Sequence, residues 1–598
     1  MIAPSPSIST SATRSVRRYW IFRIVIILFV CSIFPGIELV LYLLDVGTDT
    51  SLVLPAHRIP GSCYYLNPRA DFAYCVEDLR GPEPRAFELP KPDGAFRVVI
   101  VGESTVQGYP YPSELSFPRQ MQLILERQLP GKSVEVLNAG IIGLSSVPLV
   151  DVVQQVMKAQ PDVVVLYTGH NEFYGVGGVS TNATLSQISI LSRRFRLIQY
   201  LTSLLSGSSP SGELVSRMPK NVEVSLDSPL RSAAERQYES SLVSMCEICS
   251  RHGVPVVLCG VASNLRDQSP LPQAVSDVLV EKTVRHLQKL DVTNVRSDAI
   301  PDLISEIRAA LKREPANAAL HFRLGQCLER SGESREASSE FILARESDPC
   351  RYRASSKFRD IASQAADRFS KSGATFVDIE SACCEASGLS APGHDLFLEH
   401  VHFNSDGNWL VARTLARSII EKHLSRTWDE SLVPSVADRN EWLGLLVEDE
   451  CVAVTLAGFL TQSSPFNRVI DLKNQQRALQ SSLEQLVTTL SEERLKIFVE
   501  LDGKTKVDDL VDGIGRAYLD RGRAIDALQF FEIGSRRRPW MPNSNVFSAI
   551  ALHQLQRDLD ARRELYLSVQ TVFSASPPLA KARDRVQLQV GQPVLPDP

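Results

Sequence analysis

The chain has 598 residues, about four times the roughly 150 residues of one typical domain, so several domains are expected. Hydrophobic residues make up 44% of the chain and charged residues 22%, a globular composition that excludes a wholly disordered or collagen-like protein. The net charge of -5 removes the usual electrostatic case for a nucleic-acid-binding protein. The mean hydropathy of -0.05 excludes a protein with many membrane spans but permits a single hydrophobic anchor.

The first predicted element is an apolar run from Ile24 to Leu44, about as long as the roughly 20 residues that cross a bilayer. Pro35 and Glu38 interrupt its apolar character. Four arginines flank its start: Arg14, Arg17, Arg18 and Arg23. Their charge predicts a cytoplasmic segment 1–23, a transmembrane anchor 24–44 and an extracytoplasmic remainder, hence a single-pass cell-membrane protein. A cleaved signal peptide is the alternative, which the length of the run and the lack of a clear cleavage site disfavour.

The chain contains 11 cysteines. In an exported protein some of them could pair, and Cys63 with Cys75 is the candidate pair because both lie in the short polar extension 45–95. Cys246 and Cys249 have the CxxC spacing of a zinc site, but their helical context and the lack of a second ligand pair argue against zinc. Buried free thiols are the alternative for most of the others. No metal and no cofactor are predicted.

Five short apolar runs alternate with helical patterns such as the one from Phe117 to Gln128, which predicts an α/β domain with a central parallel sheet. The predicted strands are Phe96–Val101, Val134–Leu137, Asp162–Gly169, Pro255–Val261 and Ala374–Ile379. In such sheets ligands bind at the carboxyl ends of the strands, where the connecting loops gather. Functional residues are therefore expected just after each strand.

Two long segments interrupt the alternation of strands and helices. The segment from Gly178 to about Gln237 is rich in serine and glycine and is predicted to cover the site. The segment 277–371 reads as a helical insertion. Residues 316–349 within it match a 34-residue helical pattern at Leu324, Gly325, Ala337, Phe341, Ala344 and Pro349.

This pattern resembles a tetratricopeptide repeat, in which small residues allow two helices to pack closely and proline ends the second helix. A similar match recurs in the C-terminal helical region 436–570, at Ile514, Gly515, Tyr518, Ala527, Phe531, Gly534 and Pro539. A weaker third copy has Ala549, Leu552, Ala561 and Leu565. Generic amphipathic helix pairs are the alternative. Stacked repeats form protein-binding surfaces, so a protein partner is a further expectation.

Candidate catalytic residues follow the predicted strands. Ser104, in the sequence Gly-Glu-Ser after the first strand, offers a nucleophilic hydroxyl. Gly143 follows the second strand and Asn171 the third, so that the backbone N–H groups of Ser104 and Gly143 and the amide of Asn171 could form an oxyanion hole. His402, late in the α/β region, would accept the serine proton, and Glu399 would orient the imidazole.

The order of these four blocks resembles the SGNH hydrolase superfamily, also called GDSL esterases and lipases. The resemblance covers residues 96–265 and 372–423, with the helical insertion between them. It implies a flavodoxin-like three-layer α/β/α sandwich and a serine esterase that needs no cofactor. Carried over by position, the nucleophile is Ser104, the oxyanion donors are Ser104, Gly143 and Asn171, and the base is His402.

The sequence departs from the family pattern at two acidic residues. Glu103 and Glu399 stand where the family usually has aspartate. The extra methylene makes Glu399 the least certain member of the predicted triad, with Asp395 as its fallback. His400 competes with His402 as the base, although the Glu-x-x-His spacing favours His402. His170 is expected either to line the pocket or to be a simple loop histidine.

Three functions remain open at the level of sequence. The leading hypothesis is a membrane-anchored esterase outside the cytoplasm that acts on O-acyl groups of a glycan or another envelope component. The second passes the acyl group to a sugar hydroxyl, which makes the protein an O-acetyltransferase. The third is a scaffold, with the helical repeats as its working surface and the hydrolase fold as a remnant.

Overall fold

The computed structural model describes residues 32–75, 80–179, 190, 192–205, 223–288 and 290–595. The predicted segment 1–23 and the first part of the predicted anchor lie outside these residues. The rest of the anchor begins with a helix over residues 32–43. Within the described residues, no helix combines the length and apolar character needed to cross a membrane.

The strands form two sheets. In the first, β1 (Val53–Pro55), β2 (Cys63–Leu66) and β3 (Ala86–Glu88) pair antiparallel. The second sheet has five parallel strands in the order β5–β4–β6–β7–β8. Its strands are β4 (Phe96–Gly102), β5 (Val134–Gly140), β6 (Val163–Tyr167), β7 (Val256–Gly260) and β8 (Thr375–Asp378). All five predicted strands are therefore present, in the order of a flavodoxin-like doubly wound sheet.

Helices cover both faces of the parallel sheet, which gives the predicted three α/β/α layers. One face carries Phe117–Gln128, Ile379–Ala386 and Ser405–Ser418. The other carries Ser146–Val156, Pro229–Arg251 and Ser356–Arg368. The central strands β4, β6 and β7 are buried along their whole length, because apolar side chains face a helical layer on each side.

The predicted cover from Gly178 to about Gln237 lies partly outside the described residues. Its described helix Arg196–Leu205 packs against the chain near residues 34–48. Its C-terminal part begins the sheet-flanking helix Pro229–Arg251. The prediction of a cover did not include either of these two arrangements. Both parts are held by contacts with residues that are far away in the sequence.

The predicted insertion 277–371 and the C-terminal region are both helical. The boundary of the insertion is wrong, because its last helix, Ser356–Arg368, packs on the parallel sheet and belongs to the α/β domain. The helices of the insertion are Val278–Gln288, Ile300–Leu311, Ala318–Arg330 and Ser334–Ser347. Those of the C-terminal region are Val436–Leu443, Val447–Gln462, Leu472–Thr488, Glu492–Leu501, Leu510–Asp520, Ala524–Arg537, Asn543–Gln554, Asp558–Leu567 and Pro577–Val590.

The two best repeat matches form antiparallel helix pairs with the same close contact. A Cβ atom placed on Gly325 would lie 2.9 Å from the ring of Phe341 in the paired helix, and one on Gly515 would lie 2.5 Å from Phe531. Glycine is therefore needed where each helix meets the aromatic ring of its partner. The relationship to tetratricopeptide repeats stays a prediction.

The C-terminal region packs on the α/β domain close to the predicted nucleophile. The Tyr111 hydroxyl, a few residues after Ser104, donates a hydrogen bond to Glu450. The Arg323 guanidinium of the insertion forms an ion pair with Asp471, with N–O distances of 3.1 and 3.3 Å. The loop after Ser104 is thus supported by a helix that lies 339 residues further along the chain, and the insertion is joined to the same C-terminal region.

The ten described cysteines are all free thiols. The candidate disulfide between Cys63 and Cys75 is absent from the structure, because the two residues belong to different surroundings. Cys63 lies in β2, where its sulfur is 3.7 Å from the Pro60 carbonyl oxygen. Cys75 lines a cavity beside Gly47 and Gln199. Cys246 and Cys249 are buried in the main hydrophobic core, in agreement with the alternative of buried thiols.

Candidate active site

Ser104 lies at the carboxyl end of β4, at the first position of the short helix Ser104–Gln107. This helix rests directly on the ends of β4 and β5, which is possible because both of these strands end in glycine. A Cβ atom on Gly102 would lie 2.4 Å from Val106 Cγ2, and one on Gly140 would lie 2.3 Å from the backbone nitrogen of Gln107. The local sequence therefore places the Ser104 hydroxyl at the edge of the sheet where the loops gather.

His402 contacts Ser104 although the two residues are 298 positions apart in the chain. The distance between His402 Nε2 and Ser104 Oγ is 2.7 Å. His402 Nδ1 is hydrogen bonded to Glu399 Oε1. Because Nδ1 faces a carboxylate, it carries the ring proton, and Nε2 is left to accept the Ser104 proton. The arrangement is that of a serine–histidine–carboxylate triad.

Glu399 also binds the second histidine of the segment. Its other oxygen, Oε2, is hydrogen bonded to His400 Nδ1 and accepts a bond from the His400 backbone N–H at 2.6 Å. The His402 backbone N–H donates to Oε1 at 3.1 Å. Four donors thus fix the carboxylate, which compensates for the longer side chain of glutamate. Among the three residues of the triad, His400 is hydrogen bonded to Glu399 alone, whereas His402 is hydrogen bonded to both Glu399 and Ser104.

The Glu399–His402 turn is held by the segments on either side of it. Phe397 and Phe403 form an isolated antiparallel bridge, and their rings stack with a centroid distance of 4.7 Å. The Asn404 side chain then caps the helix Ser405–Ser418 by accepting a bond from the Gly407 N–H. The turn is therefore closed on one side by a pair of rings and on the other by the start of a helix.

The fallback residue Asp395 lies elsewhere. Its carboxylate accepts from Arg266 at 3.1 Å and from the Gly393 backbone N–H at 2.8 Å. The nearby loop after β7 supports the Glu399–His402 turn directly, since the Asn264 N–H donates to the His400 carbonyl oxygen at 2.9 Å. Glu399, and not Asp395, contacts His402.

Glu103 has a structural place beside the nucleophile. Its buried carboxylate accepts from the Thr168 hydroxyl and, at 2.8 Å, from the Gly169 backbone N–H. Burial raises the pKa of Glu103 to about 7, although these hydrogen bonds lower it. This carboxylate therefore connects the loop after β4 to the loop after β6.

Gly143 and Asn171, the other predicted oxyanion donors, adjoin one another. A Cβ atom on Gly175 would lie 2.6 Å from the Asn171 Cβ and 2.8 Å from the Gly143 carbonyl oxygen. The Asn171 carbonyl oxygen accepts from the Gly175 N–H, and the Gly143 carbonyl oxygen accepts from the Val176 N–H, both at 2.8 Å. Gly143 has a φ of 75°, which favours glycine. Their donation to an oxyanion stays a prediction.

Two further buried residues flank Asn171. Glu172 accepts bonds from the backbone N–H and the hydroxyl of Ser146, and burial raises the pKa of Glu172 to about 8. His170 Nδ1 accepts from the Ala354 N–H at 3.2 Å, so its proton lies on Nε2, and burial lowers the pKa of His170 to about 3. His170 is thus packed inside the loop as a neutral side chain.

Aromatic side chains lie against both histidines of the triad segment, and two of them were not predicted. The Tyr109 ring lies edge-on against the His402 ring, with a centroid distance of 4.9 Å. Phe466, from the C-terminal region, lies against the His400 ring at 4.4 Å. Burial lowers the pKa of His402 to about 3. The imidazole is therefore neutral at rest, as a general base requires.

Glu399, His400 and His402 are also the one cluster in the described part of the chain whose ligand atoms are close enough to bind a metal ion. In the structure both carboxylate oxygens are hydrogen bonded to histidine Nδ1 atoms, and the remaining His402 nitrogen faces Ser104. These contacts use the donor atoms within the triad, which favours proton transfer over metal binding.

Comparison with known proteins gave little. No protein-family model matches the chain, and no curated protein matches it. A solved structure that is similar is LAE5, an alpha/beta hydrolase enzyme from the metagenome of Lake Arreo, Spain. The identity is 12%, the TM-score is 0.27, and the match covers 57% of this chain and 98% of that one. A similarity of this size supports no argument about function, which must come from the site itself.

Proposed function

We propose that the protein is a serine ester hydrolase of the SGNH type. The observation that carries the proposal is the 2.7 Å contact between Ser104 Oγ and His402 Nε2, with Glu399 on the opposite ring nitrogen. These side chains come from the carboxyl end of β4 and from the loop between the helices Ile379–Ala386 and Ser405–Ser418. This combination of nucleophile, base and orienting carboxylate is what acyl transfer to a serine requires.

In the proposed reaction, Ser104 Oγ forms a bond to the ester carbonyl carbon as its proton passes to His402 Nε2. The N–H groups of Ser104 and Gly143 and the Asn171 amide stabilise the resulting oxyanion. Collapse breaks the bond to the alcohol oxygen, which takes the proton from His402. A water molecule then gives a proton to His402, attacks the acyl-serine and releases the acid, and the proton returns to Ser104.

The proposed substrates are O-acyl esters of a glycan or another envelope component, outside the cytoplasm. This part of the proposal is supported by the apolar run Ile24–Leu44 and the arginines before it. The proposed protein therefore has a single-pass anchor on the N-terminal side of its hydrolase domain. The helical pairs of the insertion and the C-terminal region would be available to a protein partner.

Active-site labelling tests the proposed activity. Incubation with a fluorophosphonate should modify Ser104, located by mass spectrometry, and Ser104→Ala should lower turnover of a short-chain aryl ester by at least about 10⁴-fold. The matched control is Ser241→Ala, because Ser241 lies on a sheet-flanking helix and bonds only to the Gln237 carbonyl oxygen. Unchanged turnover in the Ser104 variant would remove the assignment.

A further inference from the structure

Glu38 is the charged residue within the apolar run Ile24–Leu44, and the structure gives it a specific partner. Its carboxylate accepts hydrogen bonds from the backbone N–H groups of Arg196 at 2.6 Å and Leu197 at 3.0 Å. These are the first two residues of the helix Arg196–Leu205. An acidic side chain at this position satisfies the unpaired N–H groups of a helix and interacts favourably with its dipole.

Other contacts fix this helix beside the end of the apolar run. The Phe34 and Phe195 rings lie edge to face with a centroid distance of 5.1 Å. The Gln199 side chain accepts from the Thr48 N–H at 2.7 Å and donates to the Thr48 carbonyl oxygen at 3.0 Å. The Arg196 guanidinium donates to the Val46 carbonyl oxygen at 3.0 Å. The two segments therefore form one unit, although about 150 residues separate them.

Both segments of this unit expose large apolar side chains in the same region. On helix 32–43, Glu38 and Leu41 are half-buried and the other side chains are exposed. On the second segment the exposed apolar side chains are Phe195, Tyr200, Leu201 and Leu204, of which Leu204 is 63% exposed. Soluble proteins rarely expose a contiguous apolar surface of this kind without a partner.

We infer that the helix Arg196–Leu205 is a second lipid-contacting element, held against the anchor by Glu38, with Phe195, Tyr200, Leu201 and Leu204 in contact with the bilayer. The inference rests on the proposed anchor. Lipid is the occupant because the exposed surface continues the apolar run that begins at Ile24. A carboxylate inside such a run needs a specific partner, and the start of the helix supplies one.

Photolabelling from lipid tests the inference. The full-length protein is reconstituted into phosphatidylcholine vesicles that contain a phospholipid with a photoactivatable carbene precursor in its acyl chain, and labelled peptides are mapped by mass spectrometry. We expect residues 195–204 and the anchor 24–44 to be labelled several-fold above the segment around Leu588, which is exposed on the C-terminal helix Pro577–Val590. The double variant Leu201→Glu, Leu204→Glu should lose this label on 195–204, and Leu588→Glu should retain it.

The outcomes test the lipid-contact inference independently of the proposed enzymatic activity. If the anchor is labelled but residues 195–204 are labelled no more than the Leu588 segment, the inference is overturned. Coverage of residues 195–204 by another protein chain would give this result. Absence of label on both segments would also overturn it, because the anchor itself would not be in lipid. Aryl-ester turnover in the same vesicles reports on Ser104 independently, so that labelling without turnover supports the inference while the enzymatic proposal fails.

Discussion

His400 and His402 bind opposite oxygens of the same carboxylate. Both Nδ1 atoms are directed at Glu399, His402 at Oε1 and His400 at Oε2. Only His402 reaches Ser104. A glutamate side chain has one more rotatable bond than an aspartate side chain, so a second histidine that fixes the carboxylate restricts the freedom which that bond adds.

The first prediction concerns this positioning role of His400. Replacing it by phenylalanine removes one hydrogen bond to a charged group, worth about 1.5–3 kcal/mol. The kcat for an aryl ester should fall about tenfold to a hundredfold while KM changes little. His400→Asn keeps an N–H group near the Nδ1 position and should recover most of the loss. Equal effects of both variants, with a lowered melting temperature, would indicate a role in stability alone.

The second prediction concerns Asn171 as an oxyanion donor. Its side chain would stabilise charge that develops only in the transition state, so Asn171→Ala should lower kcat by about 10²–10³ and leave KM nearly unchanged. Steady-state kinetics with a short-chain aryl ester measures both constants. An unchanged kcat would show that the amide does not contact the oxyanion, and the fluorophosphonate labelling of Ser104 would still report on the nucleophile.

The third prediction concerns the pH dependence of stability at Glu172. Burial raises the pKa of Glu172 from 4.5 to about 8, so the folded state holds a proton that the unfolded state releases. The contribution of Glu172 to the free energy of unfolding is fully present below pH 4.5 and is lost as the pH rises through about 8. Glutamine reproduces the shape and cannot ionise, so Glu172→Gln should raise the melting temperature at pH 8 relative to the native protein.

The comparison that checks this prediction is thermal unfolding at two pH values. At pH 5 the variant and the native protein should unfold at similar temperatures, because Glu172 is already neutral in the folded state. The control is Glu239→Gln, because Glu239 is exposed. It should change the melting temperature at neither pH. A variant that is less stable than the native protein at pH 8 would contradict the prediction.

The fourth prediction concerns the glycine at the helix pair of the C-terminal region. A methyl group on Gly515 would come within 2.5 Å of the Phe531 ring, so Gly515→Ala should lower the free energy of unfolding by about 1–3 kcal/mol. Gly458 is also helical but has no atom within 4 Å of its added Cβ. Gly458→Ala should therefore stabilise the protein by up to about 1 kcal/mol. Denaturant unfolding compares the two variants.

The local pattern of the sequence was sufficient for the sheet. Short continuous apolar runs predict parallel strands, and β4 to β8 all lie where these runs occur. The same reasoning placed Ser104, Asn171 and His402 just after strands or late in the domain, because catalytic loops gather at the carboxyl ends of a parallel sheet. The helix pairs around Gly325 and Gly515 were likewise visible in the spacing of small and aromatic residues.

The choice between competing partners was decided only by the tertiary structure. Glu399 and Asp395 are four residues apart and chemically alike, and the turn closed by Phe397 and Phe403 directs one to His402 and leaves the other on Arg266. The contact of Phe466 with His400 and that of Glu38 with the helix at Arg196 join segments far apart in the chain. Such contacts depend on how elements pack in space, and residue spacing along the chain carries no record of that packing.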